Sequence, residues 1–206
     1  VDVVEIVPFA QVSKERLTSV SALDLALRVE EAFQTRRPGL AEGLTLHVLE
    51  GEGSYLLAGL QTLIPTDYNS WKEITLQGRP QVTGIFSPHN SIAASLLPVF
   101  QRHVGEHPIC NYWRRSGKHS GAFSWSDVAS QSEFKSLALY EEFYRPLGIQ
   151  HQLMVALEAR PSHLIYFALN RSRAPFTEQE RQLLTALQLH ASQALQQLRE
   201  LHRLKS

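Results

Sequence analysis

The chain has 206 residues, enough for one domain with a sizeable core, and its basic and acidic side chains balance. A formal net charge of zero gives no overall basic field to attract nucleic acid or an anionic membrane. A single cysteine, Cys110, excludes an internal disulfide framework and any multi-cysteine metal site, and no apolar run approaches the roughly 18 residues that a bilayer-spanning helix needs.

Val1 to Pro8 reads as an extended lead-in without the basic-then-apolar pattern of a signal peptide. Ser13 is placed to cap a helix reaching about Phe33, with Leu25, Val29 and Phe33 on one face. Leu44 to Glu50 fits either a strand or a helical face. Leu56, Leu57, Leu60, Leu63 and Ile64 predict a helix stopped by Pro65. Gly51 and Gly53 lack a phosphate loop's companions and read as a turn.

Trp71 to Leu76 and Val82 to Phe86 read as strands joined by a hairpin loop from Gln77 to Gln81. Pro98 predicts a short helix carrying Phe100, His103 and Val104. A polar loop with an aromatic rim is expected from His107 to Trp125, then a helix from Phe134 to Tyr144. Gln152 to Glu158 and His163 to Leu169 read as two more strands. The order predicts an α+β fold, an antiparallel sheet of five or six strands flanked by helices, whose two hairpins do not pair directly.

The last helix starts at Thr177, where Thr177 and Glu180 make a capping box behind Phe176. Leu184, Leu187, Ala191, Ala194, Leu198 and Leu201 then follow at alternating spacings of three and four. That 3.5-residue period is the seam of a two-stranded coiled coil and predicts a homodimer interface. The plainer reading of the same pattern is an amphipathic helix packed on its own domain.

Candidates for a small-molecule site are aromatic. Tyr112, Trp113 and Trp125 come from the rim of the middle loop. Trp71, Phe86, Tyr140 and Tyr144 are expected to join them around an apolar cavity with polar tips, the alternative being that all seven are core. His103 and His107 are four apart, but Gly105 and Pro108 interrupt the helix they would need, so no metal is expected. Cys110 has no orienting partner and is read as a buried, inert thiol. Arg171 and Arg173 are read as solvated. No acid/base pair or triad spacing predicts catalysis.

Several stretches resemble one family. Ile64-Pro65-Thr66-Asp67 followed by Trp71-Lys72-Glu73-Ile74 is similar to the start of the GAF-like sensor domains of LuxR-type transcriptional regulators. So are His107-Pro108, Ser126-Asp127, Leu139-Tyr140 through Phe143-Tyr144-Arg145-Pro146-Leu147-Gly148-Ile149 to His151-Gln152-Leu153, and Asn170-Arg171 with Phe176-Thr177-Glu178 and Leu183-Leu184. Leu189 departs from the family, which usually has Pro before the residue matching His190. The resemblance covers roughly residues 15 to 200. It implies a GAF/PAS-like fold over residues 1–206: a helical lead-in (1–40), a sheet-and-helix core (41–175) and a C-terminal signalling helix (176–206). It also implies a cytoplasmic homodimer that answers to an unknown small-molecule effector, with no cofactor and no membrane. In that family DNA is bound by a helix-turn-helix after the last helix. This sequence ends where that module would begin, so an isolated sensor domain or a piece of a longer regulator is expected. Ligand, DNA target and regulated process are not named by these residues.

Overall fold

The computed structural model describes Leu57, Leu60, Gln61 and residues 63–87 and 91–203. The expected helix from Ser13 and the ambiguous stretch from Leu44 to Glu50 lie outside the described residues. The first strands are β1 (Tyr68–Thr75) and β2 (Gln81–Ser87). Gly78 supplies the positive φ of 68° that their connection requires. Three short helices follow, α1 (Ser91–Ser95), α2 (Leu97–His103) and α3 (Pro108–Ser116). Next come a two-residue strand β3 (Phe123–Ser124) and α4 (Gln131–Lys135). Strands β4 (His151–Arg160) and β5 (His163–Arg171) lead to the long helix α5 (Glu178–Arg203).

The sheet order is β2-β1-β5-β4-β3, with every neighbouring pair antiparallel. The two hairpins therefore do pair directly, through β1 and β5, in register from Tyr68 opposite Asn170 to Thr75 opposite His163. Their backbone groups are satisfied at the sheet's centre, where separated hairpins would have left two edges open.

Two other expectations change. The first half of the middle loop is helix α3. Pro108 occupies its first turn and His107 caps it, accepting at Nδ1 from the Cys110 backbone N–H at 3.4 Å. The helix expected from Phe134 to Tyr144 is broken. Ser130 and Glu133 form a capping box that starts α4 earlier, and the Ser136 hydroxyl turns back onto the Glu133 carbonyl at 2.7 Å. The chain then makes a π-helical turn, Tyr140–Tyr144, closed by Arg145 N–H on the Tyr140 carbonyl at 2.8 Å.

Strand alternation divides the core in two. Tyr68, Ile74, Val82, Phe86, Met154, Ala156, Leu164, Tyr166 and Ala168 face a layer built from α1 to α4 and the π-helical turn. Trp71, Leu153, Val155, Leu157, Ile165, Phe167 and Leu169 face the opposite layer, which contains Leu57, Leu60, Ile64 and α5.

The capping box of α5 forms as expected, with Glu180 N–H donating to Thr177 Oγ1 at 3.3 Å and Thr177 N–H to the Glu180 carboxylate at 2.7 Å. The seam does not behave as expected over its first half. Leu184, Leu187 and Ala191, with Leu195, are buried against this chain's own sheet. The apolar strip of β4 and β5 is covalently tethered within reach, so it takes the helix face that a second copy would otherwise cover. The side chains of Ala194, Leu198 and Leu201 lie outside the described residues. Arg171 is not solvated. Its guanidinium pairs with Glu180 and stacks over the Phe176 ring at 4.2 Å.

Candidate functional site

Lys72 is the residue that does not belong in an ordinary core. It lies in the middle of β1, opposite Tyr166 of β5 and Gly84 of β2, and is 1% exposed. Gly84 lets its stem lie flat over the sheet, since a Cβ there would come within 3.4 Å of Lys72 Cγ and 3.3 Å of the Trp71 carbonyl. The Lys72 Nζ donates to Ser70 Oγ at 2.8 Å. Otherwise it is ringed by aromatic faces, with centroids at 5.0 Å (Phe100), 5.4 Å (Phe86), 5.7 Å (Tyr166) and 6.0 Å (Phe143). Burial pulls its pKa down to about 7, against a small opposing effect of the Cys110 thiol. No carboxylate is among the buried polar residues described.

In the same buried layer Tyr68 OH and Trp113 Nε1 have no hydrogen-bond partner among the described residues, and His107 Nε2 and Tyr166 OH have only loose ones, His107 toward Gln152 and Tyr166 toward the Cys110 thiol. Each residue is buried, and leaving a buried donor unmade costs roughly 1–3 kcal/mol. His103 Nε2 differs, since it lies 3.2 Å from the Glu142 carboxylate. Burial first, then the Lys72 charge, pushes the His107 pKa down to about 3. The ring is therefore neutral. With Nδ1 accepting at the helix cap, the proton is assigned to Nε2, which makes that atom a donor. Burial pushes the Cys110 thiol up to about 12, so it is a poor nucleophile.

A neighbouring network is complete by contrast. Trp125 Nε1 donates to Gln152 Oε1 at 3.0 Å, and Gln152 Nε2 to Asn170 Oδ1 at 2.8 Å. Asn170 Nδ2 donates to the Tyr68 carbonyl at 3.2 Å, and the Tyr144 hydroxyl accepts from Gln152 at 3.4 Å. These groups order the floor beside the unpaired ones.

Of the residues expected from sequence, Phe86, Trp113, Trp125 and Tyr144 are buried in this cluster, with Tyr112 and Tyr140 half-buried against it. Trp71 is not with them. Strand alternation turns it to the opposite layer, with Ile165 and Phe167. Sequence reasoning missed Lys72, Tyr68 and Tyr166 as site residues, and weighed His107 as half of a metal pair, as a partner for Cys110 and as part of a family motif, but not as a ligand contact. The signal was the spacing Tyr68, Ser70, Lys72, Ile74, which places a lysine on one face of a strand with apolar neighbours. Among the described residues no group of three His, Cys, Asp or Glu is placed to hold a metal ion.

The loop between α3 and β3 is tied to α5. Arg181 donates to the Ala122 carbonyl (2.8 Å), the Asp127 carboxylate (2.6 Å) and Ser124 Oγ (3.1 Å). Thr185 Oγ1 accepts from Ala122 N–H, and Gln188 bridges Gly121 N–H to the His119 and Ala156 carbonyls. The helix that carries His107, Cys110 and Trp113 is thus connected to α5 by one short, hydrogen-bonded loop.

No family model matches the sequence, and no curated protein matches it. Solved structures match in fold. The ligand-binding domain of VqsR from Pseudomonas aeruginosa superposes with a TM-score of 0.53 at 12% identity, over 84% of this chain and 98% of that one. CepR2 from Burkholderia cenocepacia, an N-acylhomoserine-lactone-dependent LuxR family transcription factor, gives 0.54 at 14% identity, over 84% and 92%. Residues 1–171 of SdiA from Escherichia coli give 0.56 at 16% identity, over 91% and 98%. The GAF-like α+β fold that the sequence resemblance implied is the fold of this chain, and it is shared with the ligand-binding domain of VqsR, with the LuxR family factor CepR2 and with residues 1–171 of SdiA.

Proposed function

We propose that this chain is the effector-binding sensor domain of a LuxR-type transcription regulator, acting in the cytoplasm and not as an enzyme. The observation that carries the reading is the set of buried, unpaired polar groups in one aromatic cluster, on the face covered by α1 to α4. Such a site holds a small molecule by a few convergent polar contacts and an apolar wall. Phe86, Tyr140 and Tyr144 supply wall, and Tyr68, Lys72, His107, Trp113 and Tyr166 supply contacts. The fold shared with known ligand-binding domains supports the same reading. Occupancy would bias α3, and α3 would act through the loop held by Arg181, Thr185 and Gln188 on α5. That makes α5 the two-state element a sensor needs. Dimerisation belongs to the end of that helix, through Ala194, Leu198 and Leu201, and DNA binding to a helix-turn-helix beyond it.

Native mass spectrometry of the whole chain, with a denatured mass alongside, tests this. A dimer carrying extra mass that denaturation removes is expected, with the extra mass lost in a Trp113→Phe, Tyr166→Phe double variant. A bare protein that no member of a metabolite library stabilises against heat would overturn the sensor reading. A monomer with bound mass would overturn only the dimer.

A further inference from the structure

The unpaired and loosely paired groups share one property. Trp113 Nε1 can only donate, His107 Nε2 carries its ring's proton, Lys72 Nζ has N–H groups beyond the one given to Ser70, and both tyrosine hydroxyls can donate. No described carboxylate is buried among them to receive a ligand's N–H, and the side-chain oxygens of Gln152 and Asn170 already accept from Trp125 and Gln152. A site built in this way has donors to give and few acceptors to offer. It also holds one buried cation with no anion beside it.

Resting on the reading that this cluster is the effector site, we infer that the effector is a monocarboxylate. Its head group pairs with the Lys72 ammonium and accepts from Tyr166, Trp113 and His107, and its apolar body lies against Phe86, Phe100 and Phe143.

One negative charge matches one buried positive charge. A dianionic phosphate would leave a charge uncompensated in an apolar layer, where desolvation opposes it. A neutral amide would bring no charge to match the ammonium, and its N–H groups would find only the tyrosine hydroxyls to accept them. The titratable groups near the ammonium are Tyr68 on its own strand, Tyr166 on β5, His107 and Cys110 at the start of α3, and Tyr144 in the π-helical turn. All are neutral at pH 7, burial holding the hydroxyls and the thiol protonated and the imidazole deprotonated. The carboxylate therefore meets no competing anion, and its arrival holds a proton on Lys72.

The test uses the whole chain and a paired series: octanoate, decanoate, dodecanoate, phenylacetate and indole-3-acetate, each against its methyl ester and primary amide. Calorimetry at pH 7 in two buffers of different ionisation enthalpy reads affinity and proton uptake together. The expected result is at least one acid that binds tenfold or more tightly than its ester and amide, with net proton uptake. Lys72→Met, its fold checked by circular dichroism, removes both the preference and the uptake. An ester or amide that binds as tightly as its acid, or a Lys72→Met protein that keeps the acid preference, overturns the carboxylate while leaving the effector site standing. If no acid, ester or amide binds, the assignment of this cluster as an effector site falls with it.

Discussion

Lys72 is held where its charge is least welcome. An ammonium brought from 10.5 to about 7 by burial opposes folding by on the order of 4 kcal/mol near neutral pH. The sign follows from linkage. Between pH 10.5 and 7 the unfolded chain takes up a proton that the folded chain refuses, so stability falls as pH drops through that window. Lys72→Met is therefore expected to raise the urea midpoint of the ligand-free protein at pH 7, with the gain shrinking as pH approaches 10.5. A lower midpoint would mean that the aromatic ring cage compensates the charge in full. His163 shows the opposite sign. It sits between Glu73 and Glu158, 2.7 Å from each, and the Glu73 hydrogen bond is the main cause of its raised pKa. Its contribution is fully present below the ordinary histidine value and is lost as pH rises through the higher folded value. An NMR titration should find His163 titrating above the ordinary histidine range, and Glu73→Gln should lower it. An unchanged value in that variant would remove the ion pair from the account.

Elements were legible in the sequence where local chemistry decides them. The T-x-x-E box of α5, the Pro65 stop and the hairpin around Gly78 are set by caps and turn residues within a few positions, and each is where the sequence places it. What depends on the partner was not legible. The seam of α5 has the right period for a coiled coil, yet the sheet face of Leu153, Val155 and Phe167 fills its first half. Trp71 and Lys72 are adjacent in sequence but serve opposite layers, and only the strand's orientation in the sheet says which faces the helices. The clasp between α5 and the 117–127 segment, which includes β3, was equally hidden, because its residues lie up to 69 positions apart. Burial by itself raises the Asp127 carboxyl, but the Arg181 hydrogen bond and Ser124 bring it below its ordinary value. Arg181→Ala should cost roughly 1–2 kcal/mol, most of it from donors and acceptors left unpaired, and should speed amide exchange at Ala122 and Ser124 above the global rate. Exchange unchanged there would mean that the loop is held by the sheet alone.

At the scale of the whole molecule, the sheet separates two tasks. One layer carries the unpaired and loosely paired donors, and the other carries α5, with the 117–127 segment between them held to α5 by Arg181, Thr185 and Gln188. No helix among the described residues is long and apolar enough to cross a membrane. Because Leu187 is buried on its own sheet, Leu187→Glu should cost several kcal/mol and unfold the domain near room temperature, before any question of dimer mass arises. A folded Leu187→Glu monomer would instead restore that residue to a dimer interface.

The most direct test of the central claim is the indole spectrum of the chain's three tryptophans, recorded with ¹⁵N-tryptophan while the tightest-binding probe of the acid, ester and amide series is added. Trp113 Nε1 lies among the unpaired donors, Trp125 Nε1 is already bonded to Gln152, and Trp71 is in the other layer. The expected result is a large downfield shift of Trp113 as its N–H finds an acceptor, a small shift of Trp125 and none of Trp71. A ligand that moves Trp71 most, or leaves Trp113 in place, would put the effector site elsewhere and contradict the account.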